Sequence, residues 1–287
     1  SEIVLIDRDE ARAKAEAADI AHGAPLAKGV RAYAGDYPDL KGAALVVIAA
    51  GSNQKPGESR LNLLARNAAI LASIVPQIVE VAPDAVVLLV SNPVDIMTSI
   101  ARALHPTPSL VMGSGTILDS ARFRQLIGER AGVNARYVHS YVMGEHGDSS
   151  VMCWSSALIA GMPVATFMRE RKIPWDDKIM DDIAYDVRNA ALAIIAGKHA
   201  TYYGIGIAVN SLADAIINDR HAVYTASGSC AFDAVCLSLP RLIGRKGILE
   251  TLMPPLNKDE SVALSHSAQV LYDAQEGVLK DGKLVCL

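Results

Sequence analysis

Cysteine is scarce, and the chain's four are Cys153, Cys230, Cys236 and Cys286. In 287 residues they make no disulfide framework, and none stands in the C-x-x-C spacing of a zinc or redox site. A reducing, cytoplasmic setting without a bound metal is the expectation. Nor is there an excess of either charge: 27 Lys plus Arg against 31 Asp plus Glu leave a net charge of −4. No half of the chain is strongly basic, which argues against nucleic acid or an anionic membrane surface as partner. No apolar run approaches the ~20 residues that span a bilayer, and no signal-peptide pattern opens the chain. A G-x-G-x-x-G fingerprint is also missing. Gly113-Ser114-Gly115 and Gly204-Ile205-Gly206 come nearest, but neither reaches a third glycine or has an acidic residue about 20 positions on.

What is present is apolar. Hydrophobic residues make up 51% and charged residues 20%, a composition that excludes global disorder. At about 100–200 residues per domain, the length allows one large domain or two closely packed ones. The chain opens at Ser1, without Met, straight into a short apolar run at residues 2–6 that ends in Asp7. An alanine-rich stretch with strong helix propensity follows from Asp9. Further apolar runs at 43–50 and 85–90 lack polar alternation, as parallel strands covered on both faces do. Helices are expected over 61–81 and 94–104 between and after them. This rhythm predicts an α/β fold with a doubly wound parallel sheet through about residue 115.

Beyond Gly115 the alternation is lost. Helices are expected at 119–132, 177–196, 202–217 and 257–277, and strands at 137–143, 221–227 and 234–243. This is the texture of an α+β second half, so residues 1–115 and 116–287 are expected to be two domains sharing a cleft. The segment from Tyr224 to Cys236, rich in small residues and holding two cysteines, is unusual for the strand and turn expected there.

Several residues carry chemical potential. Asp7, at a strand tip, has the position of an acid that accepts hydrogen bonds from a cofactor's ribose hydroxyls and repels a 2′-phosphate; a helix cap is the alternative. The loop from Gly51 to Arg60 holds Gln54, Lys55, Pro56 and Gly57, and reads either as a mobile lid bringing Arg60 to a substrate carbonyl or as a solvated loop. Asp119 and Arg122, three apart on an expected helix, share a face, as in a simple surface ion pair. His146, between glycines in Gly144-Glu145-His146-Gly147-Asp148, is placed to present an imidazole to a cleft or to serve structure alone.

These motifs stand in a fixed order: Gln54 to Arg60, Ser91-Asn92-Pro93-Val94-Asp95, Gly113-Ser114-Gly115-Thr116 with Asp119-Ser120-Ala121-Arg122-Phe123, the His146 loop, and Ala200-Thr201-Tyr202-Tyr203-Gly204-Ile205. Over nearly its whole length the chain resembles the NAD-dependent L-lactate and malate dehydrogenase family, and most of all its bacterial L-lactate dehydrogenase branch. The resemblance implies hydride transfer between NADH and pyruvate to give L-lactate, reversibly. It implies His146 as acid/base, Asp119 as its partner, and Arg122 as the binder of the substrate carboxylate. Arg60 polarises the carbonyl. Asn92 and Thr201 contact substrate, and Asp7, Gly51, Asn92 and Ser114 contact NAD. Gln54 stands where the family carries Arg for a substrate with a second carboxylate, so pyruvate is expected over oxaloacetate. Arg124 and His139 match positions that bind fructose 1,6-bisphosphate across a subunit interface, and a homotetramer is expected with dimer as fallback.

The chain departs from the family at its start. The first strand, the glycine-rich turn and the helix behind it, about 25–30 residues, are missing, and we expect the given sequence to be incomplete there. Two alternatives stay open: malate dehydrogenase-like activity on oxaloacetate, and a non-catalytic binding or structural relative of the family.

Overall fold

The computed structural model describes residues 2–26, 29–52, 60–230, 235–280 and 283–284, with backbone alone at positions 60, 61, 280, 283 and 284. Strand β1 (Glu2–Leu5) leads into α1 (Glu10–Gly23) and returns through β2 (Arg31–Ala34), which lies parallel to β1. Asp9 is the cap of α1, accepting from the N–H groups of Ala11 and Arg12 at 3.1 and 3.2 Å. The alanine-rich α1 buries only Ala13 and Ala17, and no residue of β1 or β2 is fully buried.

The next units are β3 (Leu45–Ile48), α2 (Arg60–Val81), β4 (Val86–Leu89), α3 (Val94–Leu104) and β5 (Val111–Gly113). The three strands are parallel, and β4 is buried at every position, the reason its sequence shows no alternation. Within α2, residues 62–81 are long and apolar enough to cross a membrane. This corrects the expectation that no apolar run approaches that length. Leu64, Ala68, Leu71, Val75 and Ile78 recur at three- and four-residue steps and all lie in the main core, so core packing accounts for the apolar stripe.

After β5 come α4 (Ile117–Ala131) and the short strands β6 (Val138–His139), β7 (Val142–Met143), β8 (Val151–Met152), β9 (Leu158–Ile159) and β10 (Met162–Pro163). Helices α5 (Val164–Glu170), α6 (Asp177–Lys198) and α7 (Tyr203–Ile217) follow. Strands β11 (Ala222–Ser229), β12 (Cys236–Gly244) and β13 (Gly247–Thr251) precede the long helix α8 (Lys258–Gln275). The single strand expected over 137–143 is two, because β6 pairs with β9 while β7 pairs with β8. Residues 231–234, in the cysteine-rich segment, lie outside the described residues.

The main sheet has the order β13-β12-β11-β5-β4-β3. Its parallel part ends at Gly113, while β1 and β2 form a two-stranded sheet of their own; the sheet itself runs on, since antiparallel β11 joins β5 at Ser227 and Gly113. Glycine permits that approach: a Cβ on Gly113 would stand 3.0 Å from Ser227 Cβ and 3.2 Å from a Val94 methyl. Fully buried Arg241 then ties the hairpin together. Its guanidinium donates to the carbonyls of Ala226, Gly228 and Leu237 and to Thr251 Oγ1, at 2.9, 2.8, 3.2 and 2.5 Å. Burial pushes its pKa down to about 10, so the cation persists at neutral pH.

Candidate active site

The ends of β3, β4 and β5 open toward one edge of the sheet, where open α/β folds bind ligands. At that edge α4 is held by hydroxyl groups. Thr116 N–H donates to Thr225 O and Ser238 Oγ at 3.1 and 3.2 Å, Thr116 Oγ1 donates to Val142 O at 2.5 Å, and Ser120 Oγ accepts from Val142 N–H at 2.9 Å. These ties fix the helix face that carries Asp119 and Arg122. Arg122 Nη1 donates to Asp119 Oδ1 at 2.8 Å, with the two side chains only 16% and 9% exposed. The pair is therefore not the solvated surface bridge that its spacing alone permits.

His146 occupies the loop from β7 to β8. Its Nδ1 lies 2.5 Å from Asp119 Oδ2. An ionised carboxylate only accepts, so Nδ1 carries the proton and Nε2 is the atom free to exchange one. Burial pulls the imidazole pKa down, but the hydrogen bond and charge of Asp119, with the charge of Asp95, outweigh it and raise the pKa above the ordinary value. The loop backbone is held as well, with His146 N–H donating to Asp95 Oδ2 at 2.8 Å. Asp95 is buried and also accepts from Ser227 Oγ at 2.6 Å. Burial raises its pKa to about 6 against the opposing pull of those hydrogen bonds.

Asp119, Arg122, His146, Ser150, Arg188 and Ala191 line an open-mouthed cavity of about 120 Å3. It offers an imidazole with a raised pKa beside a guanidinium, which suits a small acid that must gain or lose a proton. Of the residues expected at the site, the structure brings these three ionisable groups together. Gly51, Asn92 and Ser114 follow the ends of β3, β4 and β5, and Ser114 N–H donates to Leu89 O at 2.8 Å. Thr201 sits half-buried between α6 and α7. Asp7 is exposed just past β1, with Oδ1 accepting from Asp9 N–H at 2.9 Å. Gln54 lies outside the described residues, as does the side chain of Arg60, whose backbone begins α2. Arg124 turns its Nε to Ser120 O at 3.2 Å, burial lowers its pKa, and His139 is exposed on β6.

Sequence reasoning gave no role to Asp95, Arg188 or Ser267. The one available signal was for Asp95, an acid within the apolar stretch Val94 to Met97.

A histidine–aspartate couple beside a half-buried guanidinium at the ligand-binding edge of the sheet suits proton exchange with a small acid. The model of the lactate/malate dehydrogenase NAD-binding domain matches residues 1–110, and that of the lactate/malate dehydrogenase alpha/beta C-terminal domain matches residues 116–281. The chain belongs to the lactate/malate dehydrogenase family, and its cofactor is NAD. It is 54% identical over 271 residues to an L-lactate dehydrogenase of Deinococcus radiodurans, covering 94% of this chain and 89% of that one. With an L-lactate dehydrogenase of Thermus aquaticus it shares 47% identity over 280 residues, covering 95% and 90%. The ligand-bound crystal structure of a minor L-lactate dehydrogenase from Enterococcus mundtii superposes with a TM-score of 0.93 at 33% identity, covering 98% of this chain and 91% of that one.

Proposed function

We propose that the chain is an NAD-dependent L-lactate dehydrogenase that interconverts pyruvate and L-lactate, a reading carried by the contact of His146 with Asp119 beside Arg122. Residues 1–115 form the dinucleotide-binding domain, which also lends Gln54, Arg60 and Asn92 to the substrate, and 116–287 form the catalytic domain. The exposed Asp7 carboxylate fits the ribose hydroxyls, since one oxygen is engaged by Asp9 N–H and the other is left for a ligand donor. Gly51, Asn92 and Ser114 serve the rest of the cofactor at the strand ends. Bound NADH supplies the hydride that reduces the ketone.

The chain's own residues orient the substrate and move a proton. Arg122 takes the pyruvate carboxylate by two parallel charge-assisted hydrogen bonds. His146 Nε2–H gives its proton to the ketone oxygen, and neutral Nε2 takes it back from the lactate hydroxyl in reverse. Asp119 holds the tautomer and stabilises the imidazolium. Asn92 and Thr201 hold the substrate, Arg60 polarises its carbonyl, and neutral Gln54 offers no partner to a second carboxylate. Following NADH absorbance with pyruvate tests the reading: turnover is expected, with oxaloacetate the poorer substrate. No turnover from folded protein overturns it in favour of a binding relative.

A homotetramer in the cytoplasm, with Arg124 and His139 in an anion site for fructose 1,6-bisphosphate, completes the proposal. The partly exposed Arg124 and the exposed His139 support it. A bisphosphate titration that leaves the pyruvate saturation curve unmoved removes the regulatory part.

A further inference from the structure

We infer that Ser267 on α8 is a positioning residue for the acid/base histidine: its hydroxyl fixes the backbone of the loop that presents His146 to the substrate. The inference rests on the reading of His146 given above and adds to it a residue far away in the chain.

Ser267 is fully buried. Its Oγ accepts from Glu145 N–H at 2.7 Å, across 122 residues of chain, and lies 3.0 Å from Ser149 Oγ. Ser149 in turn donates its N–H and O–H to Glu145 Oε2, at 3.1 and 2.6 Å. Proton accounting then sets the direction of the remaining bond. The Ser149 hydroxyl proton is committed to the carboxylate, so the proton between the two serines belongs to Ser267. A closed circuit results, running from Glu145 N–H to the Ser267 hydroxyl, to the Ser149 hydroxyl, and back to the Glu145 carboxylate. Only a side chain that both accepts and donates closes it.

Gly144 makes room for this contact. It has φ of +86°, and a Cβ there would lie 2.5 Å from Ser267 Oγ and 3.0 Å from Ser267 Cβ. The loop is therefore held at consecutive points: Glu145 N–H by Ser267, His146 N–H by Asp95, the His146 ring by Asp119, and Ser150 O by Arg188 Nη2 at 2.8 Å. Helix α8 has an anchor of its own. Asn257 and Glu260 form a capping box, and Glu260 also accepts from Ser155 N–H at 2.8 Å and from the Ser155 hydroxyl. The hydroxyl at position 267 thus carries the location of a docked helix onto the peptide preceding His146.

The test compares Ser267→Ala, Ser267→Thr and Ser265→Ala, the last being an exposed position on the same helix. Single-turnover oxidation of bound NADH by pyruvate is expected to slow on the order of 10- to 100-fold in Ser267→Ala, because misplacing a reacting group by about 1 Å can cost on the order of 100-fold. Pyruvate KM should stay within about threefold, Ser267→Thr should recover most of the rate, and Ser265→Ala should match the parent. A second readout needs no turnover: NMR titration of the His146 ring. Asp119 and Arg122 from α4 and Asp95 from α3 act on that ring, and Arg188 from α6 lines the same cavity. Loosening the Asp119 bond should let its pKa fall toward the ordinary imidazole value. Parent-like rate and ring titration with only a lowered Tm would overturn the inference. An inactive parent would sink the proposed function alone, and the ring titration would still decide the role of Ser267. If Ser267→Ala does not fold, Ser267→Cys puts a weaker acceptor opposite Glu145 N–H, and a parent-like rate and ring titration there overturn the inference equally.

Discussion

The two ends of the molecule are held together in different ways. In the β1-α1-β2 layer the polar ties are exposed: the Glu2–Arg31 pair at 2.8 Å has side chains 58% and 70% exposed, and the Glu10–Lys14 pair on α1 is as open. Around His146 the two carboxylates, Asp95 and Asp119, are buried, and Asp119 pairs with half-buried Arg122 and His146. Exposed pairs of the first kind contribute about 0–1 kcal/mol. Breaking a buried pair of the second kind costs about 3–5 kcal/mol, because it strands a charge. The residues proposed to face the cofactor therefore rest on local strand and helix rules, while the proposed reacting end depends on long-range contacts that tolerate little change.

Four variants probe this contrast. His146→Ala strikes its centre, and pyruvate reduction should fall by on the order of 100- to 10,000-fold while NADH binding, followed by nucleotide fluorescence, persists. A loss below tenfold would mean that the densely tied end is not the reacting end. Gln54→Arg adds a cation at the position proposed to set the choice of substrate. It should move the kcat/KM ratio toward oxaloacetate by roughly 10- to 100-fold, the worth of one charge-assisted hydrogen bond of about 1.5–3 kcal/mol. An unchanged ratio defeats the assignment of that position.

Asp95→Asn sharpens the contrast through pH. The folded-state pKa of Asp95, about 6, lies above its ordinary 3.8. The native state thus keeps a proton that the unfolded chain releases, and this contribution to stability is complete below about pH 4 and lost as pH rises through about 6. The amide removes that dependence, so parent Tm minus variant Tm should decrease across this window. A difference that grows with pH would refute the buried-acid account. Smallest of all, Glu2→Gln should shift stability by no more than about 1 kcal/mol in denaturant titration. A larger loss would erase the distinction between the two ends.

Periodicity and local spacing made part of this legible in the sequence. The unbroken run of β4, the stripe of α2, and Asp119 and Arg122 three apart on one helix all follow from local rules, as does an exposed acid at the end of β1. What stayed hidden depends on partners distant in the chain. Asp95 meets residues 146 and 227, Arg188 meets residue 150, and Ser267 meets residues 145 and 149. No local pattern announces such pairs. The junction of β5 with β11 rests on a single residue pair, Gly113 with Ser227, and strands of two residues such as β8 and β9 are too short to show alternation.

The tether between α8 and the histidine loop bears on the order of events when the chain folds. Contacts separated by more than a hundred residues carry a loop-closure cost that neighbouring elements avoid, so we expect this one to close after the local ones. A growing or refolding polypeptide can assemble α2 against β3 and β4 well before residue 267 reaches its place. Catalytic competence then works as a completion signal, returning only once the last long helix has docked and lagging behind recovery of the helical spectrum.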